Sequence, residues 1–323
     1  MSGAGSSDRI MNLKRLQYFV KIVDIGNLTQ AADILHVAQP ALSQQLATLE
    51  SEVRQQLLVR TPRGVTPTEA GKVLYRHAQL ILRQCDQARV DMRAAGQGIS
   101  GAVSVGLAPG TAAAGLAMPL LVATRSRHPG VVLYLNETYG TTLSELVMNG
   151  RMDLAVLYGG GQSVHGLTFQ PLLRESLYLV GPSSIPAPLD PVPLERIGEM
   201  DLFLPRPYNV VRKVVDAACA GIGLVPRVVA EIESASTLAS VIAAGMGVTV
   251  LPGSMAKQVV ESTSAWHARI VDPAIEVPLA LCQSDHLPLS EPAAAIRLIL
   301  LELVRELPGN MLSSQEEGVL KRV

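Results

Sequence analysis

The sequence predicts a multidomain α+β chain. It has an N-terminal pair of short helices with a two-stranded wing, a long connecting helix, and an α/β body. Three observations carry this. Asn27 to Glu52 reads as two helices meeting at a tight turn. From Thr66 no helix breaker occurs until Gly96. From Ala102 onward, short apolar strands alternate with helices.

In the helix pair, Asn27 is placed to cap a helix, with Gln30 at the capping-box position. Ala31, Ala32, Ile34 and Leu35 follow with helical spacing and small side chains, so a second helix can approach closely. The pattern breaks at His36-Val37-Ala38, and Pro40 reopens it at a first helical position. Leu42, Leu46 and Leu49 form the core stripe. Gln39, Ser43, Gln44 and Gln45 lie on the opposite face. Such short uncharged polar groups read base edges, although the same residues also suit an ordinary solvated helix face. Leu13–Gly26 forms an amphipathic helix before the pair, and Leu57–Thr66 reads as two strands around a Pro-Arg-Gly turn.

Thr66-Pro67-Thr68-Glu69 is a helix start in which Thr66 caps, Pro67 takes the first position and Glu69 closes a capping box. The helix runs about 29 residues, or about 43 Å. Ala70, Leu74, Ala78, Ile81, Cys85 and Ala88 recur along it at spacings of three and four. That stripe fits intramolecular packing, or pairing with a partner helix.

Phe19, Thr29-Gln30-Ala31-Ala32, Leu35, Ala38 to Ser43, Leu49-Glu50, Arg60-Thr61, Gly64 to Thr66 and Thr68 to Gly71 together resemble the LysR-type transcriptional regulators. The match is close from Met11 to about Gly96, and length and element order agree beyond it. Within the family the wording is most similar to regulators of nitrogen assimilation. The resemblance implies a winged helix-turn-helix over residues 11–68 and a linker and dimerisation helix over 66–96, whose partner is an antiparallel second copy. It also implies a periplasmic-binding-protein-like regulatory domain of two α/β lobes over 97–307. Lobe I covers about 101–171 and 275–307, and lobe II about 172–268. Residues 1–10 and 308–323 are expected to be a disordered extension and a mobile tail.

By alignment with the family, Gln39, Pro40, Ser43 and Gln44 read bases, with Gln44 standing where many relatives carry arginine. Thr29 and Gln30 meet phosphate, and Arg63 at the wing tip enters a narrow minor groove. Arg60 contacts phosphate or a structural carboxylate. Lys14 and Arg15 are solvated charges that either touch the DNA backbone or do not. Arg54 departs from the family's glycine and Leu58 from its phenylalanine. The pairing stripe is Leu74, Ala78, Ile81, Cys85 and Ala88. The resemblance also implies dimers or tetramers on dyad-symmetric T-N11-A type sites, activating or repressing transcription, with RNA polymerase contact.

An effector cleft should be lined by strand-to-helix loops, where free N–H groups suit an anion. The candidates are Pro109, Gly110 and Thr111; Tyr139, Thr141 and Thr142; Arg206; and Ser234, Ser236 and Thr237. Serine and threonine at helix starts also serve simply as caps. The sequence does not name an effector.

Composition agrees with this organisation. At 48% hydrophobic and 17% charged residues the chain supports large cores. Residues 1–98 hold 12 Lys and Arg against 8 Asp and Glu, and residues 99–323 hold 15 against 20. A mildly basic module on an acidic body suits a reader of double-stranded DNA that needs more than one copy for useful affinity. Cys85, Cys219 and Cys282 are far apart, without metal spacing, and are expected to be reduced. Neither a signal peptide nor a membrane span is read, and the chain is expected to be cytoplasmic. No cofactor and no metal are called for. An enzyme is the weakest reading: there is no G-x-S-x-G or phosphate-loop motif, and the six histidines are scattered. Two further alternatives are a regulator of another pathway answering to a small molecule, and a small-molecule binding protein with secondary DNA binding.

Overall fold

A computed structural model describes residues 12–61, 64–94, 98–159 and 164–307. The expected extension 1–10, the tail 308–323, the wing-tip Arg63 and the linker's Gly96 lie outside these residues. The chain divides near Gly96 into two compact units.

The first unit contains α1 (Leu13–Ile25), α2 (Leu28–Ile34), α3 (Gln39–Val53), β1 (Leu58–Thr61), β2 (Gly64–Pro67) and α4 (Glu69–Ala94). Leu16, Phe19 and Ile22 of α1 meet Leu42, Leu46 and Leu49 of α3 in one apolar core with Ala31, Ala32, Leu57, Leu58 and Ala78. Ala31 is fully buried and Ala32 is 1% exposed, so α2 reaches α3 at a distance that only small side chains allow.

Two helix starts differ from expectation. α3 begins at Gln39, so Pro40 holds its second position, where an N–H is equally dispensable. α4 begins at Glu69, and Thr68 caps it: Thr68 Oγ1 accepts from Gly71 N at 3.0 Å. Thr66 and Pro67 instead pair with Val59 and Leu58 in the wing. Strand pairing here overrides a local capping signal that was read two residues too early.

The second unit opens with β3 (Ser100–Leu107), which begins two residues ahead of the Ala102 start read from the sequence. There follow a 3₁₀ turn (Ala112–Leu116), α5 (Ala117–Arg127), β4 (Gly130–Glu137), α6 (Gly140–Met148), β5 (Leu154–Tyr158) and β6 (Leu167–Pro182). The helical segment after Thr111 is thus a 3₁₀ turn followed by α5. Pro119 sits in the first turn of α5, where its missing N–H does no harm.

The chain continues with β7 (Val192–Pro193), a second 3₁₀ turn (Leu194–Glu199), β8 (Leu202–Leu204), α7 (Val210–Gly221), β9 (Val228–Glu231) and α8 (Ala235–Ala243). It closes with β10 (Val248–Pro252), α9 (Gly253–Ser262), β11 (Ala265–Val271), β12 (Glu276–Ser284) and α10 (Glu291–Arg305).

The strands run in the order β4-β3-β5-β12-β6-β10-β8-β9, with β11 also on β6. β6 passes through both lobes. Leu167–Ser176 pairs with β12 in the first lobe, and Leu177–Val180 pairs with β10 in the second. β6 is therefore one 16-residue strand shared by the two lobes. β3, β4 and β5 are parallel, and so are β8, β9 and β10. The main apolar core runs from Val105 and Val156 in the first lobe to Leu204 and Val250 in the second. Smaller clusters around Leu143 and Ile242 form beside it, one in each lobe.

Candidate nucleic-acid interface and inter-lobe site

The turn between α1 and α2 is built by two short-range bonds. Gly26 takes a left-handed conformation (φ 69°) and donates to Ile22 O, ending α1. Asn27 Oδ1 then accepts from Thr29 N at 3.0 Å and Gln30 N at 3.1 Å, starting α2. Thr29 and Gln30 are exposed at that start.

On α3, Pro40 and Gln44 are exposed and Gln39 and Ser43 half-buried, while Leu42, Leu46 and Leu49 fix the opposite side. Gln45 is not part of the open face, because its Oε1 accepts from Arg15 Nε at 3.0 Å. Arg15 also pairs with Glu52. It is therefore a strut between α1 and α3, not the solvated charge expected from sequence. Lys14 lies beside the Tyr18 ring, 5.7 Å from its centre.

The wing is fastened to α3 at two points. Glu50 Oε1 accepts from Leu57 N at 2.8 Å and Leu58 N at 3.2 Å. Arg60 Nη2 donates to Ser43 Oγ at 2.8 Å. Arg60, expected from the resemblance at phosphate or a carboxylate, meets a hydroxyl of α3 in this structure. Between helix and wing lies a cleft of about 340 Å³ lined by Ser43, Ala47, Glu50, Gln56, Val59 and Arg60, among others. Arg54 ends α3 in the left-handed region (φ 52°), a conformation that the glycine expected there would adopt without penalty. Leu58, in the place of a phenylalanine, is 4% exposed and fills the core.

The stripe on α4 divides. Ala78 is fully buried in the unit's own core, and Leu74 packs against that core with Ala70 and Leu82. Ala78 is therefore corrected from the pairing set, whereas Leu74 is half-buried against its own core. Ile81 (39% exposed) and Ala88 stay on the open side with Val73 (47%) and Met92 (71%); Cys85 is half-buried. The Tyr75 hydroxyl donates to Asp24, joining α4 to α1.

In the second unit the effector candidates separate. Thr111 is buried, and its hydroxyl is occupied: it donates to Ala108 O at 2.8 Å and accepts from Ala113 N at 3.0 Å. Ser234 Oγ likewise accepts from Thr237 N at 3.3 Å and meets Ser236 Oγ at 2.9 Å. These threonine and serine side chains are caps. The Pro109–Thr111 turn and the start of α8 are nevertheless brought together. A Cβ built on Gly110 would lie 3.0 Å from Met255 Sδ and 3.7 Å from Ala235 Cβ. Tyr139, Thr141 and Thr142 are exposed around the start of α6. Arg206 donates its backbone N–H to Glu233 at 2.9 Å, with its residue exposed. Among the described residues no side-chain hydrogen bond joins these four to the Gly110 contact.

Sequence reasoning missed the polar centre between the lobes. The hydroxyl of Tyr158, at the end of β5, donates to Glu175 on β6. Ser254 Oγ, at the start of α9, donates to the same carboxylate at 3.2 Å. Burial, and then the Glu175 charge, push the Tyr158 hydroxyl well above the usual tyrosine range, so it stays a donor. The available signal was a charged residue inside the apolar run of β6. Cys219 and Cys282 are buried, Cys85 is half-buried, and all are free thiols. The described residues contain no His, Cys, Asp and Glu cluster fit for a metal. No described helix is long and apolar enough to cross a membrane.

Residues 13–72 match the bacterial regulatory helix-turn-helix family, lysR type, and residues 96–305 match the LysR substrate binding domain. The chain is 53% identical to the nitrogen assimilation regulatory protein nac of Klebsiella aerogenes over 294 residues, covering 91% of this chain and 95% of that protein. It is 49% identical to the protein of the same name from Escherichia coli K12, with the same coverage. Among solved structures, full-length BenM aligns with a TM-score of 0.54 at 26% identity, covering 92% of this chain and 96% of that one. Full-length CbnR complexed with its target DNA aligns with a TM-score of 0.64 at 23% identity, covering 92% and 99%.

Proposed function

On the premise that this chain belongs to the LysR family of DNA-binding transcriptional regulators, we propose that it controls genes of nitrogen assimilation. The observation that carries this is the 53% identity across 91% of the chain to a nitrogen assimilation regulator. It acts in the cytoplasm as a dimer or tetramer on dyad-symmetric T-N11-A type sites. It activates or represses according to the position of the site, in contact with RNA polymerase.

In this reading Gln39, Pro40, Ser43 and Gln44 face base edges in the major groove, and Thr29 and Gln30 meet phosphate at the start of α2. Arg63 enters the minor groove. Gln44 presents an amide, which pairs with adenine, where an arginine would pair with guanine. Two copies meet through the exposed side of α4, at Ile81, Cys85 and Ala88 together with Val73. The Gly110–Met255 contact and the Glu175 network lie where an effector would enter, so any small molecule must displace side chains to bind there.

Genome-wide mapping of bound sites, in cells grown on rich and on poor nitrogen sources, tests the proposal. Sites upstream of genes for ammonium, urea or amino-acid use are expected. Sites confined to other pathways would overturn the nitrogen assignment and leave the family membership standing.

A further inference from the structure

We propose that Arg60 is a positioning residue that biases the polarity of Ser43, so that this serine favours hydrogen-bond acceptors on the base edges over donors. The inference rests on the placement of α3 in the major groove given above.

The argument begins with what each group can do. A guanidinium carries five N–H donors and no acceptor, and it stays charged. A serine hydroxyl has one proton and two lone pairs. In the 2.8 Å bond between them, Ser43 Oγ must therefore accept. Its own proton is left to go elsewhere. On a helix the usual destination is the carbonyl one turn back. Thr48, on the same helix, does this, donating to Gln44 O at 2.9 Å. Ser43 does not: among the described residues no bond joins its hydroxyl to Gln39 O. Its proton is free to point outward, on the face that carries the exposed Pro40, Gln44 and Ala47.

The consequence is a biased reader. Purine N7, guanine O6 and thymine O4 accept hydrogen bonds in the major groove, whereas cytosine N4 and adenine N6 donate. A serine alone is indifferent between them, because its hydroxyl rotates. Arg60 occupies one of its two lone pairs, and the adjacent positive charge repels a base N–H at the other and favours the electronegative edges. Arg60 lies on β1, bonds to α3 at Ser43 and lines the cleft shared with Ser43, Ala47 and Glu50. The wing thereby acts on specificity in the major groove without touching a base there.

The test is selection of binding sites from a randomised DNA pool by the full-length protein, comparing wild type with Ser43→Ala, Arg60→Gln and Arg60→Lys. Melting temperatures check that each variant is folded. Glutamine offers an acceptor as well as donors and lets Ser43 turn inward, whereas lysine remains donor-only. Arg60→Gln and Ser43→Ala are expected to lose preference at the same base pair, by about two- to tenfold, with other positions unchanged. Arg60→Lys is expected to keep that preference. If instead Arg60→Gln weakens all sites equally and lowers the salt dependence, Arg60 is a phosphate contact and the proposal falls. A Ser43→Ala profile identical to wild type removes Ser43 from the reading face. That takes the proposal with it and leaves DNA binding through the rest of α3 intact.

Discussion

Gly64 packs its α-carbon against the backbone of Gly26: a Cβ on Gly64 would lie 2.3 Å from the Gly26 carbonyl oxygen. The same oxygen accepts from Val65 N at 2.7 Å. The wing is therefore seated on the bend that joins α1 to α2, and the seat requires glycine for two reasons. The space is absent, and φ at Gly64 is 129°, a region L-residues rarely adopt. Gly64→Ala is expected to destabilise the N-terminal unit by about 2 kcal/mol or more. Chemical denaturation measures that loss, and weaker DNA binding should accompany it, because the wing shifts relative to α3.

How far the sequence foretold this depends on how local each signal is. The Asn27 cap, the Leu42-Leu46-Leu49 stripe and the small Ala31-Ala32 pair are decided by neighbours within a turn or two, and they were legible. Thr66 against Thr68 was not. Both are threonines ahead of a glutamate, and only the pairing of Pro67 with Leu58 decides which caps α4. Arg15 looked free because its partners, Gln45 and Glu52, sit on another helix. β6 looked half its length because Gln170-Pro171 and Arg174-Glu175 interrupt its apolar residues before Leu177. The Tyr158–Glu175–Ser254 centre joins three elements and has no local signature beyond one acid in an apolar run. Candidate cleft residues chosen for being Ser or Thr at helix starts turned out, at Thr111 and Ser234, to be spent on capping.

The division of α4 makes a paired prediction. Ala78 is sealed in the core, so Ala78→Asp should prevent the N-terminal unit from folding, through an unpaired buried charge. Val73→Asp with Ile81→Asp changes side chains that are 47% and 39% exposed. This double variant is expected to retain its fold and melting behaviour and to shift the association equilibrium toward monomer. Sedimentation at several concentrations reads the difference. An unchanged association constant would move pairing away from this side of α4.

Glu175 is the acceptor on which Tyr158 and Ser254 converge. Glu175→Ala leaves the buried Tyr158 hydroxyl without its partner and is expected to cost about 1–3 kcal/mol. Tyr158→Phe in the same background removes the stranded donor. The double variant should therefore be less destabilised than the two single losses added together. Thermal denaturation of the four proteins in this cycle measures the coupling. Strict additivity would show that the hydroxyl and carboxylate do not act as a pair.

Tyr75 supplies the alkaline limit of the N-terminal unit. Burial first, and then the hydrogen bond and charge of Asp24, raise its hydroxyl from 10.0 to about 12. A raised value means that the folded state keeps a proton which the unfolded chain releases from about pH 10 upward. The bond's contribution is thus fully present below pH 10 and is lost as pH rises toward 12. Because the pair is partly open to solvent, the Tyr75→Phe penalty at neutral pH should be small, on the order of 1 kcal/mol. Denaturation followed from pH 8 to 12 should show the wild type losing its advantage over Tyr75→Phe across the upper part of that range. A constant difference between the two would mean that the Asp24 carboxylate does not hold the phenol's proton.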